Sequence, residues 1–144
     1  MKIGKEKKIW DKFRSELFTI KVFTKWTVVL RHKQLTLGSC VFILNEYKEA
    51  FSTLTQEEFG DLANVVQWYE NFITSHFNAV HFNYLALMMK DPHVHIHAIP
   101  RYDKSIIFAD YKWIDSAYPK SVSMKMDNTS DDVLFKIKSK FEVY

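Results

Sequence analysis

Glycine is scarce in this chain. Only Gly4, Gly38 and Gly60 occur in 144 residues, where average usage near 7% would give roughly ten. A loop that cradles phosphate on backbone amides needs clustered glycines, and these three stand far apart. Any phosphate handled here must therefore be neutralised mostly by side chains. The single Cys40 has no partner for an internal disulfide, which suits a reducing, cytoplasmic setting. Net charge is small, +3, and the lysines of "MKIGKEKK" do not recur as a basic stripe, so no nucleic-acid partner is expected. Long apolar runs are lacking as well. "CVFIL" and "YLALMM" are too short to span a bilayer and the start has no apolar signal core, so no membrane partner is expected.

Aromatic residues, by contrast, are plentiful: four Trp, seven Tyr and twelve Phe within an apolar fraction of 47%. That is enough to build a core and excludes a disordered chain. The length suits one domain, 1–144. Ile9, Trp10, Phe13 and Leu17 fall on one face of a helix over 5–17. "LFTIKVF" alternates as a half-buried strand, with Phe18, Ile20 and Val22 inward; "WTVVL" and "GSCVFIL" follow as strands around a turn near Lys33 and Gln34. Thr55 and Glu58 have capping-box spacing at the start of a long helix. Its stripe is Phe59, Leu62, Val66, Tyr69, Ile73 and Phe77. "VHFNYLALMM" and "HVHIHAIP", divided by Lys90-Asp91-Pro92, predict adjacent antiparallel strands. Residues 102–128 have no clean period and predict an ordered loop with short elements; a last helix starts near Ser130. The fold class is α+β, an antiparallel sheet packed against a long central helix.

Half of the chain's six histidines stand at alternate positions in "DPHVHIHAIPRY". On a strand, His93, His95 and His97 share one face, while Val94, Ile96 and Ala98 take the other and pack on the helix. The imidazoles would then look outward, spaced roughly 6.7 Å apart. Three uses are open. Sheet histidines can be structural, although each half-buried ring then needs its own partner. His93 and His95 can chelate a metal, with His32, His76 or His81 as a third ligand, but the outer pair is about 13 Å apart, too far for all three to share one ion. Finally, a neutral imidazole can attack phosphorus when its other N–H is held by an acceptor, with flanking rings donating to phosphate or to the leaving group.

The run "HVHIHAIPR" resembles the His-φ-His-φ-His-φ-φ signature of the histidine-triad (HIT) family, and "LGSCVFILNEYKEAFSTLTQEEF" is similar to that family's strand, loop and helix start. The resemblance covers about residues 28–101. It implies a HIT-like α+β fold, commonly a homodimer, and hydrolysis or transfer of nucleotides at the α-phosphate through a nucleotidyl-histidine intermediate. Carried over, His95 is the nucleophile, the carbonyl of His93 holds its other nitrogen, and His97 donates to phosphate or the leaving group. The surrounding shell departs from the family pattern. The usual Gly-Gln-Ser/Thr-Val falls on Met88, Met89, Lys90 and Asp91. Histidines common elsewhere are replaced by Ser39 and Tyr47, and the ribose-holding Asn or Asp falls on Arg31. Lys90 and Arg31 can replace the lost phosphate contacts or be surface charges; Asn83 is a pocket residue or a strand end; Arg101 neutralises phosphate or closes the strand with a surface ion pair.

The resulting expectation is a cytoplasmic HIT-like hydrolase or nucleotidyl transferase. Its default substrate is a dinucleoside polyphosphate such as diadenosine tetraphosphate. The nucleophile requires no metal or other cofactor, and magnesium could accompany a polyphosphate. The competing expectations are a nucleotide-binding, regulatory HIT-like protein with little turnover, and a His-ligated metalloprotein.

Overall fold

A computed structural model describes residues 4–142. In chain order its elements are α1 (Lys5–Lys12), α2 (Ser15–Phe18), β1 (Thr19–Val22), β2 (Trp26–Leu30), β3 (Cys40–Leu44), α3 (Gln56–Phe77), β4 (His81–Leu85), β5 (His95–Arg101), β6 (Ile106–Phe108), β7 (Tyr111–Trp113) and α4 (Asp131–Glu142). The first five strands form one antiparallel sheet in the order β1-β2-β3-β5-β4, and β6 pairs with β7 in a separate hairpin. This is the expected α+β architecture, with β4 and β5 adjacent and antiparallel.

Strands β2, β3 and β5 are buried along their whole length, so both faces of the central sheet carry a covering layer. Register shows which residues meet which layer. Phe42 pairs with Ile96 and Cys40 with Ala98; the Phe42 ring lies 5.2 Å from that of Tyr69 on α3. This is the helix-facing side. Val41 and Ile43 pair with His97 and His95, and pleating turns these four to the opposite face.

The start of α3 forms as its residues dictate. Thr55 Oγ1 accepts from the Glu58 amide and Glu58 Oε1 accepts from the Thr55 amide, a complete capping box. The buried stripe is Val65, Tyr69, Phe72, Ile73 and Phe77, whereas Phe59 is exposed. Of the expected stripe, Tyr69, Ile73 and Phe77 are buried and Leu62 and Val66 pack partly buried against the core, while Phe72, stacked on Phe141 of α4, widens the contact face. Gly38 earns its place: its φ is 90°, and a Cβ there would sit 2.6 Å from Ile73 Cδ1. The turn before it is held by Gln34, whose amide donates to the carbonyls of Arg31 and Ser39 while its oxygen accepts from the Gly38 amide.

Two expectations near the N-terminus need correction. The helix over 5–17 breaks after α1, where Arg14 takes a left-handed φ of 53° and grips Asp131 of α4 through both terminal guanidinium nitrogens. The break turns the chain so that α1 and α2 need not share an axis. In β1, Val22 is 66% exposed, because β1 is an edge strand with only part of its length covered. Residues 102–128 hold the β6–β7 hairpin, and α4 follows Ser130, whose carbonyl accepts from the Leu134 amide.

Candidate functional site

The histidine face of the sheet is covered by α1 and its C-cap residue, Phe13. Phe13 lies 6.4 Å from the His95 ring, 5.8 Å from His97 and 5.7 Å from His32 (ring centroids), and Trp10 lies 6.2 Å from His93. The row therefore does not look outward to solvent: His93, His95 and His97 are 2%, 2% and 6% exposed. An amphipathic helix needs an apolar surface to cover, and the sheet's second face supplies it. Nor do all three histidines belong to the strand. β5 begins at His95; His93 precedes it, donating from Nε2 to the Leu44 carbonyl at 2.6 Å, with Tyr47 packed 4.9 Å from its ring.

His95 Nδ1 donates to the His93 carbonyl at 2.6 Å. A carbonyl can only accept, so in the neutral ring the proton is fixed on Nδ1 and Nε2 keeps its lone pair. Burial holds the His95 pKa below its ordinary value, against the opposing pull of the His93 carbonyl. His97 stands 5.1 Å from His95, nearly perpendicular to it. Its Nδ1 accepts from Arg31 Nε at 3.4 Å, which places its own proton on Nε2. Burial, then the nearby Arg31 charge, pulls the His97 pKa down to about 3. Near neutral pH both rings are uncharged, His95 with a free lone pair on Nε2 and His97 with a proton on Nε2.

A cavity of about 400 Å³ opens beside these rings. Its wall includes Phe13, His32, Leu87, Met89 and Met124, with Lys12, Arg31, Lys33 and Lys90 as cations and Asp91 as a carboxylate. Asp91 is buried and paired with Lys12 and, at 3.8 Å, with Lys8. His32 Nδ1 is buried without a hydrogen-bond partner, and burial with the surrounding cations lowers its pKa.

Arg31 and Lys90 thus stand at the cavity with His95 and His97, and the other expected substrate residues stand elsewhere. Ser39 is buried in the Gly38 turn, donating to the Thr36 carbonyl. Tyr47 supports His93 and donates its hydroxyl to Glu49. Asn83 accepts from Arg101, whose guanidinium also holds Asp115 through two bonds and the Lys120 carbonyl. Arg101 is buried rather than at the surface. Asn83 and Arg101 line a separate cavity of about 660 Å³ along β4, which contains none of the row. Phe13, Lys12, Lys33 and Met124 carried no sequence signal for the site, since an apolar stripe or a lone lysine does not name the sheet face it covers. Among the described residues no cluster of three or more His, Cys, Asp or Glu is arranged to hold a metal ion.

No family model and no curated protein matches this sequence. Solved structures do match. A histidine triad protein from Marinobacter aquaeolei VT8 superposes with a TM-score of 0.71 at 16% identity, over 92% of this chain and 91% of that one. A Hit-like protein involved in cell-cycle regulation from Bartonella henselae gives 0.71 at 12% identity, over 99% and 98%. A HIT family protein from Bacillus anthracis str. 'Ames Ancestor' gives 0.55 at 27% identity, over 67% and 73%. In fold, therefore, the chain is a divergent HIT-like protein.

Proposed function

We propose that this protein is a nucleotide hydrolase or nucleotidyl transferase that attacks the α-phosphate with His95 Nε2, its default substrate a dinucleoside polyphosphate such as diadenosine tetraphosphate. The observation that carries the reading is the hydrogen bond from His95 Nδ1 to the His93 carbonyl beside a cavity walled by cations. In the first step the Nε2 lone pair forms an N–P bond as the P–O bond to the leaving polyphosphate breaks. The departing oxygen takes that electron pair. His97 donates its Nε2 proton in a hydrogen bond to phosphate or to the leaving oxygen. The modified imidazole is then cationic and still held by the His93 carbonyl. Water next attacks phosphorus, the P–N electrons return to Nε2, a nucleoside monophosphate leaves and one proton passes to solvent. Another hydroxyl in place of water makes the reaction a transfer. Magnesium would accompany the polyphosphate rather than the nucleophile, and the working unit would be a cytoplasmic homodimer.

Incubation with a radiolabelled dinucleoside polyphosphate, followed by denaturation without acid, tests this directly. Label should remain on the parent protein and be absent from H95A. Product release without any His95-dependent adduct would sink the mechanism. The second reading is a regulatory nucleotide-binding protein with little turnover. It is favoured by the α1 cover over the row and predicts binding with neither adduct nor product.

A further inference from the structure

The chain has three arginines, at 14, 31 and 101. Arg14 holds Asp131 through two nitrogens, and Arg101 holds Asp115 likewise. Arg31 is 7% exposed and borders the cavity beside His95 and His97. Its bonds run to a neutral imidazole, His97 Nδ1, and to the Lys33 carbonyl at 2.9 Å from Nη1. Among the described residues no carboxylate lies within ion-pair distance of it. A buried charge is costly to a fold unless something compensates it. Here the near neighbours make matters worse, since Lys33 and Lys12 line the same space and Asp91 is already engaged by lysines. No described residue supplies the counter-charge. Among the described residues Nη2 has no acceptor, which leaves a guanidinium edge for an oxyanion.

We propose that Arg31 is the receptor for a second phosphoryl group, so that the site takes nucleotides carrying one more phosphate than the one His95 attacks. The proposal rests on the reading of the cavity as a nucleotide site, but the anion receptor can be tested without that reading. A guanidinium suits the task because it is planar, always charged and matched to phosphate oxygens. The second phosphate can belong to the polyphosphate chain or to the ribose, and its chemistry at Arg31 is the same. An anion there would also offset the positive field at His97, because Arg31 donates to that ring.

Titration with inorganic pyrophosphate, followed by calorimetry and by the imidazole nitrogen resonances of His97, tests the proposal on the whole protein. Pyrophosphate should bind the parent and move the His97 signals. R31Q should bind it about tenfold more weakly, the loss expected for one charge-assisted contact, and R31K, which keeps the charge, should fall between. Unmoved His97 signals in the parent, a measurement that needs no variant to fold, overturn the proposal; so does an R31Q protein that folds and binds as tightly as the parent. ADP and adenosine 3′,5′-bisphosphate then locate the second phosphate: the one that binds more tightly than AMP in an Arg31-dependent way carries it in the right place. AMP binding as well as both overturns the proposal. Failure of the His95 adduct beside Arg31-dependent pyrophosphate binding would sink the catalytic reading and leave the receptor standing.

Discussion

At the level of single residues, the chemistry turns on which nitrogen of each ring holds its proton. His95 and His97 are sequence neighbours of similar burial, yet their partners set opposite tautomers. A carbonyl fixes the proton of His95 on Nδ1, and a guanidinium drives that of His97 to Nε2. Protonating His95 would remove the Nε2 lone pair on which the proposed attack depends. Burial holds its pKa below the ordinary histidine value, so the neutral form persists at pH values where a solvent-exposed histidine would be charged. The acid limb of kcat/KM should therefore lie below about 6.5, the ordinary histidine value. A pH–rate profile with its acid limb at or above that value would assign the limb to another group. The row was legible in the sequence because alternation on a strand is a strict rule. Its setting was not. Burial under α1, and the position of His93 ahead of the strand, depend on contacts made by residues some eighty positions away.

At the level of elements, α1 joins stability to function. Its apolar stripe was readable, and so were β2, β3 and the capped start of α3, because each follows one period without interruption. Which layer the stripe covers was not readable, since a helix face specifies only that it must be buried. The same limit explains Phe59: it fits the α3 periodicity, but α4 and the sheet meet the adjacent face. Arg101 was misplaced for a related reason. Its carboxylate partner, Asp115, comes from the region without a clear period. Phe13 is almost fully buried and touches three imidazoles, so F13A should have two effects. Removing the ring should cost about 3–5 kcal/mol in urea unfolding. Water admitted at its place should also relieve the desolvation of His95 and raise its pKa toward 6.5. Loss of stability with an unchanged His95 titration would show that α1 supports the fold without setting the site's electrostatics.

At the level of the whole molecule, buried neutral imidazoles tie stability to acidity. His97 binds its proton at about pH 3 in the folded chain, and near 6.5 once unfolded. Below 6.5 the unfolded state thus takes up a proton that the folded state refuses, and linkage makes stability fall as pH falls. The sign is the same for His95 and His32, whose pKa values are also lowered by burial. Above 6.5 none of the three contributes any slope, because both states are neutral. Each group with a depressed pKa contributes at most roughly 1.4 kcal/mol per pH unit inside its window, and for His97 the window runs from about 6.5 down to about 3. Urea midpoints between pH 8 and 4 should therefore be flat at first and then decline steeply. H97Q removes one such proton, so its decline between pH 6 and 4 should be shallower by about one proton's worth of slope, whatever its stability at pH 8. That comparison of slopes separates linkage from packing, since a lost contact lowers the whole curve without tilting it. Parallel curves for H97Q and the parent would mean that His97 is not held neutral by the fold, and the donor role assigned to its Nε2 would lose its physical basis.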